Sequence, residues 1–120
     1  NNYMSVVSNI VTAETLSLVH KSGIDLKLAI KLMSTTAAGK GHMNVSYPNK
    51  VLINDIAPGF KNSLALKDLR LAIEHGGSEG IELTSGKSVL SIYEKAMDTK
   101  YKDLDWTAMF NFVKENNNLD

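Results

Sequence analysis

The sequence predicts an all-α fold: a compact multi-helix domain organised around one long, buried N-terminal helix. Three observations carry this. At least four segments repeat apolar residues at three- and four-residue steps, the period of a helix face. No segment shows the sustained apolar–polar alternation of a half-buried strand. Glycine and Pro-Gly breaks at Gly23, Pro58-Gly59 and Gly76-Gly77 separate the periodic segments.

The first element is expected from Asn2 to Lys21. Its apolar residues, Tyr3, Met4, Val6, Val7, Ile10, Val11, Ala13, Leu16, Leu18 and Val19, cover most of the helical circumference. A helix of that kind is buried by neighbours on several sides. Gly23 suits a left-handed cap at its end. No Ser, Thr or Asp precedes Asn1, so the helix is expected to begin earlier in the parent protein.

Asp25 caps a second helix to about Thr35, with Leu26, Ala29, Ile30 and Met33 inward. Between Ser34 and Tyr47 the glycines at 39 and 41 leave room for one short helix between loops. Pro48 opens another, through Ile53, because proline is tolerated in a first turn. Asn54 to Gly59 is a loop. Lys61 to His75 is a strong helix, with Leu64, Ala65, Leu69, Ala72 and Ile73 inward and Gly76-Gly77 as its stop. Thr84 or Ser85 caps a helix through about Lys100, burying Val89, Leu90, Ile92, Tyr93, Ala96 and Met97. Asp105 caps the last helix, Trp106 to Lys114, and the polar tail from Asn116 is expected to fray.

Composition narrows the function. The 120 residues suit one domain. At that length about two-thirds of the unfolded surface is buried on folding. Hydrophobic residues make up 43% and charged residues 22%. Both shares are those of globular proteins. Thirteen basic residues balance thirteen acidic ones. That balance gives no electrostatic basis for nucleic acid or an anionic membrane as partner. The absence of cysteine excludes a disulfide, a thiolate nucleophile and a cysteine-ligated metal, and favours a reducing compartment. No apolar run approaches the length of a membrane span, which takes roughly 18 residues. No signal peptide is visible. A cytoplasmic location is therefore expected.

The chemistry-bearing candidates are few. His20, His42 and His75 have no metal-ligand spacing, and His20 and His75 sit near helix C-termini, where positive charge is favourable. The methionines read as scattered core filler, and Glu14 as a partner for a neighbouring helix. There is no GxGxxG and no βαβ pattern. The most distinctive stretch is Pro58-Gly59-Phe60-Lys61-Asn62-Ser63-Leu64-Ala65-Leu66-Lys67-Asp68-Leu69. Spacing alone reads Lys67 and Asp68 as solvated neighbours, about 100° apart on a helix and not paired with each other. Ser63 lies one turn before Lys67 on the same face.

That string resembles P-G-F-x-x-x-L-x-x-K-D-L of the β-hydroxyacid dehydrogenases, the family of 3-hydroxyisobutyrate dehydrogenase. Asn1-Asn2 with the twenty residues that follow resembles the end of the family's G-x-x-x-K-x-x-N-N and its interdomain helix. Asp103 to Ala108 resembles its closing G-D-x-D-x-S/T-A. Gly39-Lys40-Gly41-His42 stands where many relatives carry G-x-S-W, with glycine for the serine and histidine for the tryptophan. Thr84 stands where many have proline. The resemblance runs from Asn1 to about Val113.

The resemblance implies a helical C-terminal domain like that of 6-phosphogluconate dehydrogenase, occupying residues 1–120, with the family's N-terminal Rossmann domain outside the chain. It implies that Lys67, Phe60, Ser63 and Asp68 face NAD or NADP, and that Asn1 and Asn2 hold the substrate. The general acid/base, a lysine, falls three residues before Asn1. Such a group is needed because oxidising a hydroxyl requires removal of its proton as hydride leaves carbon. The implied partners are the chain's own Rossmann domain, a small hydroxyacid or semialdehyde, and further copies in a homo-oligomer. The alternative from a different class is a non-catalytic helical dimerisation module, with the apolar first helix filling a partner's groove.

Overall fold

A computed structural model describes residues 1–36 and 38–120. They form helices and no strand. The elements are α1 (Asn2–Lys21), α2 (Leu26–Met33), α3 (Tyr47–Asn49, entered through a π-helical turn at His42–Ser46), α4 (Asn62–Ser78), α5 (Thr84–Met97) and α6 (Met109–Asn116). Two 3₁₀ turns, Lys100–Asp103 and Trp106–Ala108, connect α5 to α6.

Helix α1 is the axis of the domain and packs against α2, α4, α5 and α6. Its first half, through Val6 and Ile10, joins a core with Ala65, Leu66 and Leu69 of α4 and Val89 and Tyr93 of α5. Its second half, through Ala13 and Leu16, joins a second core with Ile30, Met43, Tyr47, Phe110 and Val113. The apolar circumference of α1 is nevertheless not fully covered. Met4, Val11 and Leu18, evenly spaced along it, are 66%, 55% and 69% exposed.

Helix ends follow local chemistry. Asp25 Oδ1 accepts from Leu28 N–H at 2.8 Å. That is the bond a capping side chain is expected to make. Gly23, at φ +76°, closes α1. Its N–H donates to His20 O, and Ile24 N–H to Val19 O, which is a Schellman motif. The expected stop of α4 at Gly76-Gly77 is corrected. The helix runs through both glycines to Ser78 and closes at Gly80, φ +74°, with Ile81 N–H donating to Gly76 O at 2.8 Å. A glycine in the left-handed region is the usual end of a helix. Gly76 is there for a different reason: a Cβ on it would meet Leu83 Cγ at 2.9 Å.

Other boundaries shift too. α5 stops at Met97, where Thr99 opens the 3₁₀ turn by accepting from Tyr101 N–H. The helix after Pro48 ends at Asn49, and turns carry the chain to Asn54. Within α4, Leu66 replaces Leu64 on the inner face; Leu66 is 4% exposed and Leu64 44%. The tail is tied instead of frayed, because Asn118 adopts φ +54°, Leu119 N–H donates to Lys114 O, and Asp120 O lies 2.8 Å from His20 Nε2.

Candidate functional site

The two motifs that bracket α1 and α4 meet in space. Asn2, in the first turn of α1, donates from Nδ2 to Asp68 Oδ2 at 2.9 Å, across 66 residues of sequence. Lys67 Nζ lies 3.8 Å from the other carboxylate oxygen, Oδ1. The expectation that these neighbours do not pair is thus corrected. Their Cα–Cβ bonds diverge by about 100°, but a flexible four-carbon stem swings the ammonium back across that angle. Lys67 remains well exposed and Asp68 is half-buried. Ser63, one turn earlier, is also half-buried, and Asn1 is exposed, capping α1 without a side-chain hydrogen bond.

Phe60 is set by the turn that precedes α4. Asp105, 2% exposed, accepts at Oδ1 from the N–H groups of Gly59 (2.9 Å) and Phe60 (3.0 Å). At Oδ2 it accepts from Thr107 N–H (3.0 Å) and Thr107 Oγ1–H (2.5 Å). Trp106 N–H donates back to Phe60 O at 2.7 Å, and Asn62 N–H to Leu104 O at 3.0 Å. The Pro-Gly-Phe turn and the Asp-Leu-Asp-Trp turn are therefore laced together, which starts α4 at a defined place and angle. The reading of Asp105 as a cap holds for Thr107, but the helix behind it divides into a 3₁₀ turn and α6.

The half-buried Phe60 ring meets Trp106 edge-to-face at 5.1 Å, and Trp106 meets His42 at 4.8 Å. Edge-to-face contact is a favoured geometry for such rings. His42 Nε2 lies 2.7 Å from Ser5 O on α1. A backbone carbonyl only accepts, so Nε2 carries the hydrogen and Nδ1 is the bare nitrogen, buried without a partner among the described residues. Burial pushes the His42 imidazole below its ordinary range, and the Ser5 carbonyl offsets part of that. A circuit of contacts thus runs from Asn2 to Asp68, down α4 to Phe60, and through Trp106 and His42 back to α1.

On the flank of this circuit lies an open groove of about 370 Å³, lined by Met4, Ser5, Ser8, Lys40, Gly41, His42, Val45, Ser46 and Trp106. Its hydroxyls and the Lys40 ammonium suit a small polar or anionic molecule. The sequence did not mark Ser5 or Ser8 as candidates, and it placed Lys40 only within the stretch that departs from G-x-S-W. A signal existed: Ser5 and Ser8 follow Asn1 at helical spacing, on one helix face. Below the site, Asn9 is fully buried and ties three elements, donating to Tyr93 Oη (3.0 Å) and Trp106 O (2.9 Å) and accepting from Tyr47 Oη (3.0 Å). Burial raises the pKa of both phenols, so they stay protonated. No group of three or more His, Asp or Glu able to hold a metal ion occurs among the described residues, and no helix there is long and apolar enough to cross a membrane.

Residues 1–113 match the family described as NAD-binding of NADP-dependent 3-hydroxyisobutyrate dehydrogenase. The chain is 37% identical to the 3-sulfolactaldehyde reductase of Escherichia coli K12 over 114 residues, which is 95% of this chain and 38% of the relative. It is 28% identical to the mitochondrial 3-hydroxyisobutyrate dehydrogenase of the rat, across 96% of this chain and 36% of that protein. Among solved structures it superposes on a Mycobacterium tuberculosis 3-hydroxyisobutyrate dehydrogenase solved with L-serine, with a TM-score of 0.83 and 26% identity, covering 95% of this chain and 41% of the other. The chain spans well under half the length of each of these proteins.

Proposed function

The chain belongs to the β-hydroxyacid dehydrogenase family, and from that premise we propose that it is the helical C-terminal substrate and oligomerisation domain of an NAD(P)-dependent 3-hydroxyacid dehydrogenase. Its dinucleotide-binding domain would lie ahead of Asn1. The observation that supports this most is the hydrogen bond between Asn2 and Asp68, because it brings two separated motifs onto one surface.

The residues present suit one wall of a nicotinamide site. A dinucleotide's pyrophosphate is held by a Gly-rich turn between strand and helix, and the described residues contain no strand. What they offer is the opposite side: the exposed Lys67 ammonium, the Ser63 hydroxyl one turn away and the Phe60 ring. In this reading those three hold the nicotinamide end of NAD or NADP, which when bound takes or gives the hydride. Asn1 and Asn2 orient a small hydroxyacid or semialdehyde, and the groove beside Ser5 and Lys40 takes its acid group. The lysine expected three residues before Asn1 moves the hydroxyl proton.

The experiment is to purify the polypeptide whose reading frame extends upstream of Asn1 and to follow NAD(P)H with 3-hydroxyisobutyrate, L-serine and 3-sulfolactaldehyde. Turnover of at least one, lost when the upstream lysine is changed to alanine, is expected. The 120-residue chain alone is expected to show none. An extended polypeptide that binds no dinucleotide, or turns over none of the three, sinks the reading. A dimerisation module is the second reading, supported by the exposed stripe of Met4, Val11 and Leu18.

A further inference from the structure

We propose that Lys40, mounted between Gly39 and Gly41, is a specificity-determining residue: with the hydroxyls of Ser5, Ser8 and Ser46 it draws a singly charged tetrahedral oxyanion, a sulfonate, into the groove beside α1 in preference to a carboxylate. The proposal rests on the dehydrogenase reading for the molecule that carries this group, and on the groove alone for the group itself.

Both glycines around Lys40 serve the backbone. A Cβ at position 39 would overlap the carbonyl of Met33, the last residue of α2, so only glycine lets the loop pass that close. Gly41 adopts φ +107° and ψ −111°, outside the regions open to a residue with a side chain. Its N–H donates to Asn44 Oδ1 at 2.8 Å, and its carbonyl accepts from Val45 N–H at 2.9 Å. The serine that the resemblance places at 41 in many relatives would be strained in this turn. The backbone of Lys40 is thus fixed by its two neighbours, and its side chain lines the groove.

The groove is rich in donors and has no competing acid. No carboxylate lines it. Lys40 takes part in none of the ion pairs among the described residues. Elsewhere on α1, Thr12 and Ser17 turn their hydroxyls back onto the carbonyls of Ser8 and Ala13. Ser5 and Ser8 lend only their carbonyls, to His42 and Thr12; their hydroxyls, like that of Ser46, make no hydrogen bond among the described residues. Burial keeps His42 neutral at pH 7, so the Lys40 ammonium is the single positive charge in the lining. One such charge matches a monoanion, whereas a phosphate monoester brings nearly two negative charges at pH 7. A carboxylate has the right charge, but its two oxygens lie in one plane. A sulfonate has one charge and three oxygens that point in three directions. The donors also come from three sides: α1, the π-helical turn at Ser46 and the loop at Lys40.

Two measurements test this. In ¹⁵N-edited NMR of the 120-residue chain, methanesulfonate is expected to shift the backbone amides of Ser5, Ser8 and Gly41, and acetate to shift them several-fold less at the same concentration. Lys40→Met keeps the stem and removes the charge. It is expected to weaken methanesulfonate binding about tenfold, the worth of one charge-assisted hydrogen bond, without moving the melting temperature. Gly41→Ser should weaken it too, by displacing Lys40. Absent shifts, shifts as large with acetate, or unchanged binding in Lys40→Met overturn the proposal regardless of what the protein catalyses. In the polypeptide extended upstream of Asn1, Lys40→Met is expected to raise KM for 3-sulfolactaldehyde about tenfold and KM for 3-hydroxyisobutyrate by less than about threefold. Equal changes in the two KM values, or a fall in kcat with KM unmoved, contradict the proposal. An extended polypeptide with no turnover sinks the dehydrogenase reading instead, and the NMR result still decides what the groove takes.

Discussion

Asp105 directs its two oxygens at four donors in two different turns while 2% exposed. Replacing it by alanine leaves those donors facing each other with no acceptor. Each buried unsatisfied group costs on the order of 1–3 kcal/mol, so Asp105→Ala is expected to lose about 3 kcal/mol or more in urea unfolding. A loss below about 1 kcal/mol would mean that water or a local shift takes over its role. His42 gives a pH prediction. Its folded value is lowered from 6.5, mainly by burial, so the unfolded chain takes up a proton first as pH falls. The stability it contributes is complete above about 6.5 and declines as pH drops below that toward the folded value. The melting temperature should therefore fall more steeply between about pH 7 and pH 5 for the chain as it is than for His42→Phe. Parallel curves would contradict this. Asp105 could be read from sequence as a cap, because capping is local. Its grip on Gly59 and Phe60 crosses all of α4 and α5, the contact between His42 and Trp106 spans further still, and Ser5 reaches His42 across all of α2. Nothing in local spacing encodes those.

Helix α4 shows where local rules succeed and where packing overrides them. Its existence and its apolar period were legible. Its end was not, since adjacent glycines read as a stop when neither is shown to have a packing role. Gly76 persists inside the helix because Leu83 lies against it, and Gly80 supplies the left-handed turn. Gly77 has neither constraint, with open space where a methyl group would sit. Gly77→Ala is accordingly expected to stabilise the chain by about 0.5–1 kcal/mol, and Gly80→Ala to destabilise it by about 1–2 kcal/mol. Thermal or urea unfolding of the two variants checks the opposite signs; two changes of the same sign would contradict this ending of α4. The exchange of Leu64 for Leu66 on the inner face has a similar origin. Both fit a helical stripe in α4, and the packing of α1 and α5 against it decides which of them is covered.

At the scale of the molecule, the sequence carried the all-α class and the order of the helices, because each long segment repeats with a helical period, although the caps were less legible: α5 is entered through Leu83 with no side-chain cap, not through Thr84 or Ser85. It did not carry which parts of α1 are covered. Apolar residues around a helix imply burial, yet Met4, Val11 and Leu18 form an exposed stripe on this chain. That stripe is expected to drive self-association at least to a dimer. Sedimentation at high concentration showing only the 13.1 kDa species would refute it.

The central claim is that the surface joining Asn2, Asp68, Lys67 and Phe60 is a wall of a hydride-transfer site. Lys67 tests it most directly, because its side chain is exposed and fills no core volume. The measurement is kcat/KM for Lys67→Ala in the polypeptide extended upstream of Asn1, with the melting temperature recorded alongside. A charge-assisted contact worth roughly 1.5–3 kcal/mol predicts a drop of about ten- to a hundredfold, with the melting temperature almost unmoved. Rates within about twofold of the unsubstituted enzyme, with normal cofactor affinity, would make Lys67 a solvated surface residue and contradict the account.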